Sequence, residues 1–73
     1  MNSRIVIDPE IQHGKPVIRG TRVSVARIID GLAGGIILQE IVHEYGVSDE
    51  DIKAALMFAS ELIEDEEFHQ YLI

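Results

Sequence analysis

The sequence has no cysteine and no tryptophan, only two prolines, and an aromatic complement of two tyrosines and two phenylalanines. Without cysteine, neither a disulfide framework nor a thiolate metal site can hold the chain together. No apolar run approaches the roughly 20 residues that a spanning helix needs, and nothing reads as a signal peptide. A cytoplasmic protein with no membrane attachment is therefore expected. Basic residues are scarce in one half of the chain. Residues 30–73 set Lys53 alone against eleven acids (−10), whereas residues 1–29 set Arg4, Lys15, Arg19, Arg22 and Arg27 against Asp8 and Glu10 (+3), which together give the net −7. Such a body does not draw nucleic acid from a distance. A local basic patch, or a basic partner for the acidic half, stays open.

At 73 residues the chain makes one domain at most. A chain of that length buries only about 60–65% of the surface its unfolded form exposes. Its 47% apolar content is nevertheless too high for disorder. We expect a single domain over residues 1–73. It divides into a β element (1–23), a three-helix unit (24–63) and an acidic, then apolar, tail (64–73).

The chain is organised around Gly14-Lys15-Pro16-Val17-Ile18-Arg19-Gly20-Thr21-Arg22-Val23. Gly14 and Gly20 reach backbone angles that other residues avoid, and Pro16 biases Lys15 towards an extended conformation. Val17-Ile18 is a β-favouring pair, and Arg19-Gly20-Thr21-Arg22 reads as a tight turn. Gly14, Pro16, Gly20 and Thr21 shape the turns. Lys15, Arg19 and Arg22 stand on the rim, with Arg27 nearby, as candidate partner- or phosphate-binding residues. Arg4-Ile5-Val6-Ile7 is a second strand candidate, ended by Asp8-Pro9, and Glu10 to His13 is loop.

Ser24 is a good N-cap for a first helix over residues 25–34, striped by Val25, Ile28, Ile29 and Leu32 and stopped by Gly34-Gly35. A second helix over residues 37–45 buries Leu38, Ile41, Val42 and Tyr45. It lacks a capping side chain at its start and is closed by Gly46. The third, over residues 49–63, starts at Ser48 with Asp51 at capping-box spacing and Asp49 and Glu50 in its first turn. Ile52, Ala55, Leu56, Ala59, Leu62 and Ile63 form its stripe. Ile28, Leu32, Ile41, Val42, Ile52, Leu56 and Ala59 should share one core. The fold class is thus mainly α: a three-helix unit behind a short N-terminal β-hairpin.

Helices two and three, joined by Gly46-Val47-Ser48, have helix-turn-helix spacing, with Val47 plugging the corner and Val42 where a small residue is usual. A recognition helix enters the major groove by its N-terminal residues. Here those are Asp49, Glu50 and Asp51, which repel phosphates. Glu40/His43 and Glu66/His69 repeat an E-x-x-H spacing seen in metal sites, but no further carboxylates join them. No metal, cofactor or catalytic set is expected, and the protein is read as a non-enzyme. A homodimer is expected, because the core is small and the strand edge and the tail are apolar. Ile5, Ile7, Met57, Phe58, Phe68 and Tyr71 would form its dimer or partner surface.

Asp8-Pro9, the block 14–22, Val25, residues 28–32, Gly34, Glu40-Ile41, Tyr45 and Asp51-Ile52-Lys53-Ala54-Ala55-Leu56 together resemble the bacterial and archaeal family known as domain of unknown function 433. His13 stands where that family often has a glycine, and Ile37 where it has a polar cap. The resemblance implies a homeodomain-like helix-turn-helix bundle, and an antitoxin-like protein that binds and silences a PIN-like nuclease toxin and also binds its own operator DNA. PIN-like nucleases hold metal with a carboxylate cluster, with which an inserted Arg or Lys pairs by charge-assisted hydrogen bonds. On that reading Lys15 and Arg19 are partner contacts, while Arg22 serves either the partner or the turn. The alternative is a free-standing helix-turn-helix repressor that contacts phosphates through the same rim.

Overall fold

A computed structural model describes residues 3–65. Two strands, β1 (Ile5–Val6) and β2 (Val17–Ile18), precede three helices, α1 (Val25–Ala33), α2 (Leu38–Tyr45) and α3 (Asp49–Asp65). The protein is mainly helical behind a two-stranded antiparallel sheet, as the pattern of apolar residues predicts.

The sheet is short but central. β1 and β2 pair with Ile5 opposite Ile18 and Val6 opposite Val17. The other edge of β2 is also used. The Ile18 N–H donates to the Val23 carbonyl, and the Val25 N–H donates to the Pro16 carbonyl. β2 is therefore hydrogen-bonded on both sides, and its second partner runs directly into α1. Ile5, Ile18 and Val23 are buried in one cluster with Val25, Ile28, Ile41, Val47, Ile52, Ala54 and Ala55, and Val17 is buried outside it. The hairpin thus supplies much of the core rather than decorating a helical one.

The helix ends follow local chemistry. The Ser24 hydroxyl accepts the Arg27 N–H at 3.0 Å and caps α1. Its C-terminus is a Schellman motif, with the Gly35 N–H on the Leu32 carbonyl and the Ile36 N–H on the Gly31 carbonyl. Gly35, at φ +94°, is the left-handed residue. Gly34 stays right-handed as the last residue of the turn. α2 starts after Ile37 without a side-chain cap and stops at left-handed Gly46. In α3, Ser48 and Asp51 form a reciprocal capping box: the Ser48 N–H donates to the Asp51 carboxylate and the Asp51 N–H to the Ser48 hydroxyl.

Two packing expectations are corrected. Leu56 was assigned to the core but is 45% exposed, and Leu62 and Ile63 are about half exposed, while Ala54 is buried instead. The buried face of α3 is turned towards Ala54, Ala55 and Phe58, and α1, α2 and β1 all pack against the helix. Leu32, Val42 and Ala59 sit at the margin of the core. Ile5 was assigned to a dimer or partner surface but is buried against its own chain, where its partner strand and α3 enclose it.

The close approach of α1 and α2 is set by Gly31, which sequence reading did not single out. A β-carbon there would lie 2.8 Å from the Tyr45 hydroxyl and 3.4 Å from Ile41 Cδ1. The small residue that lets these two helices meet is on α1, where it seats Tyr45 and Ile41 of α2. Gly31→Ala should destabilise by about 1–2 kcal/mol in urea unfolding despite alanine's better helix propensity, because overpacking dominates. Adding Tyr45→Phe removes the clashing oxygen and should restore most of that loss.

Candidate partner-binding rim

The rim rests on two linked turns. In the first, the Thr21 N–H and hydroxyl both donate to the Ile18 carbonyl, at 3.0 and 2.8 Å. The same hydroxyl accepts the Val23 N–H at 3.0 Å. Gly20 adopts φ +80°. The turn is fastened from within, which leaves Arg19, Gly20 and Arg22 exposed. In the second, Gln12, His13 and Gly14 take φ of 52°, 57° and 82°, so three successive residues are left-handed. For the two non-glycine residues this costs on the order of 1 kcal/mol each. The Gln12 side-chain amide donates to the Arg22 carbonyl at 3.3 Å and ties the two turns together.

The structure divides the four predicted cations among different surroundings. Arg19 Nε donates to the Ser3 carbonyl at 2.7 Å. With Ser3, Arg4 and Asp51 it lines an open cleft of about 370 Å³. Arg22 lines a second, of about 490 Å³, with Pro9, Glu10, Gln12 and His13. Arg27 lies 4.4 Å over the Tyr45 ring and bridges α1 to α2. Lys15 is exposed. Pro16 is half-buried, with its carbonyl committed to Val25. Of the apolar candidates, Ile7 and Met57 are half exposed and Phe58 packs against the core. Phe68 and Tyr71 lie outside the described residues. Glu40 and His43 are exposed on α2, and Glu66/His69 also lie outside the described residues.

Arg4 is the cation that sequence reading left out of the site. The strand register places it beside Arg19, whose N–H donates to the Arg4 carbonyl at 2.8 Å. Its guanidinium pairs with the Asp51 carboxylate at 3.0 Å. Opposing strand positions carry that signal, which appears only once the pairing is known. Partial burial pushes the Asp51 carboxyl up. The Ser48 N–H, Arg4 and the Ser48 hydroxyl outweigh this, so it lies below its ordinary value. One of the three acids at the start of α3 is therefore committed to the fold, while Asp49 and Glu50 are exposed.

A two-stranded sheet leading through a cation-bearing turn into three helices defines a small, mainly helical protein whose polar features gather on the hairpin. The chain belongs to the family described as "Protein of unknown function (DUF433)", which matches residues 5–59. Over 55 residues it is 33% identical to "Putative antitoxin VapB45" of Mycobacterium tuberculosis (strain ATCC 25618 / H37Rv), a match covering 75% of this chain and 23% of that protein. Its fold is similar to the crystal structure of Rv2018 from Mycobacterium tuberculosis, with a TM-score of 0.65 and 35% identity. That likeness covers 71% of this chain and 24% of the other. The chain thus spans about a quarter of the length of these relatives.

Thr21→Val removes the hydroxyl that serves both Ile18 and Val23, and should cost about 1–3 kcal/mol in denaturant unfolding, whereas Thr21→Ser should retain most of the stability. Asp51→Ala should cost about 1 kcal/mol at neutral pH. Because the folded-state pKa of Asp51 is depressed, its contribution is present above the unfolded carboxylate pKa and lost as pH falls through the folded one. The gap between wild type and Asp51→Ala should close as unfolding is followed from about pH 4 downwards.

Proposed function

We propose that this chain is an antitoxin-like, non-catalytic protein-binding module that neutralises a PIN-like ribonuclease. The similarity over 55 residues to the protein named "Putative antitoxin VapB45" carries this reading. The rim supplies the chemistry. Arg19 spends one of its five N–H donors on the Ser3 carbonyl and stands exposed with Arg4 beside it, on a turn held rigid by Thr21. A carboxylate cluster of the kind that binds metal in such nucleases would pair with the Arg19 guanidinium and be blocked. Lys15 and Arg22 extend the same contact, with Gly14, Pro16, Gly20 and Thr21 holding the backbone that presents them.

Binding of the operator is a second part of the proposal. It rests on the joined α2–α3 pair and on phosphate contacts from Lys15, Arg19 and Arg22. Base reading by α3 is disfavoured, because exposed Asp49 and Glu50 occupy its first turn.

Arg19→Glu should weaken the complex with a co-expressed PIN-like nuclease by roughly 30-fold or more in calorimetry, since disrupting a desolvated charge pair costs about 2–5 kcal/mol. The thermal melt should fall only slightly. Unchanged nuclease affinity with lost operator binding would make the rim a phosphate contact and favour the free-standing repressor. A sharply lowered melt would make Arg19 structural.

A further inference from the structure

We propose that the distal half of α3 is the interface between two copies of this chain, packed antiparallel. Ile52, Leu56, Ala59 and Ile63 follow the four-three-four spacing of a helix-packing seam. At its N-terminal end the seam enters the chain's own core, with Ile52 fully buried. Further along the described chain leaves it largely open: Ala59 is only partly buried, and Leu56 is 45% and Ile63 59% exposed, with Leu62 alongside at 49%. Small Ala59, at the centre, lets two backbones approach closely.

Charge selects the occupant. Lys53 and Glu64 are both exposed, and eleven residues at 100° each bring them within about 20° of one another around the helix. They therefore share one flank of the seam, towards opposite ends. In an antiparallel pair matching flanks face each other. With Leu56 level with Ile63 of the second copy, Lys53 comes within about two residues' rise of Glu64, and twofold symmetry makes that contact twice. A parallel pair would instead set this flank against the opposite one, which carries Ala55 and Leu62, and would give Lys53 and Glu64 no ionic partner. The seam is self-complementary in one orientation only. The interface leaves the hairpin rim uncovered, so it is independent of how the rim is used.

The test is sedimentation of the full chain from about 1 to 300 µM. Wild type should move from monomer towards dimer. Leu56→Gln/Ile63→Gln should stay monomeric with an unchanged low-concentration melt. Lys53→Glu should weaken association about tenfold, and Lys53→Glu/Glu64→Lys should restore it. Because the chain lacks cysteine, single thiols report orientation: a mixture of Leu56→Cys and Ile63→Cys chains should form a mixed disulfide, while Ile63→Cys alone should not link to itself. A wild-type monomer throughout the range, or self-linkage through position 63, would overturn the proposal.

Discussion

The fold depends on the backbone of Val17-Ile18. Both residues are buried, and a buried peptide group must find a hydrogen-bonding partner. β2 meets that demand from two sides, from β1 and from the segment that returns through Val23 to Val25. The return is possible only because Gly20 turns the chain and the Thr21 hydroxyl bridges the gap. The same constraint aims the exposed arginines and sets where α1 begins. A change at Thr21 acts on the sheet, the rim and the first helix together.

Charge is arranged around that frame with little waste. The first turn of α3 carries three acids, which suits its helix dipole and would suit a DNA backbone poorly. Asp51 satisfies the helix start and holds Arg4 at once, which fastens the N-terminal strand to the last helix across 47 positions of sequence. Arg27 is held over Tyr45 instead of joining the hairpin cations. The basic character of the N-terminal half is therefore not one patch. It is a hairpin edge with two clefts and one arginine spent on helix packing.

α3 is nearly twice as long as the helices it packs on, about 25 Å against about 13 Å for α1. Its last turns outrun the bundle, which is why Leu62 and Ile63 retain so much exposed surface. A helix that continues an apolar seam past its own core presents a surface suited to another chain. The acids on its remaining faces keep that surface from unselective aggregation.

Much of this was legible in local sequence, because caps, turns and helix stripes depend on neighbours within a few residues. Ser24, Gly46, the Ser48/Asp51 box, left-handed Gly20 and the burial of Ile28, Ile41, Val47 and Ile52 all follow from residue type and spacing. Only the tertiary structure decided which face of α3 is covered. Period 3.6 reports that Ile52, Ala55, Leu56 and Ala59 lie near one another, but the packing of α1, α2 and β1 against α3 covers Ala54, Ala55 and Phe58 and leaves Leu56 half exposed. Ile5 was buried by the same contact. Long-range packing likewise placed Arg4 beside Arg19 and made Gly31 the seat of Tyr45. Those outcomes depend on what lies across space from a residue, and one-dimensional periodicity carries no record of that.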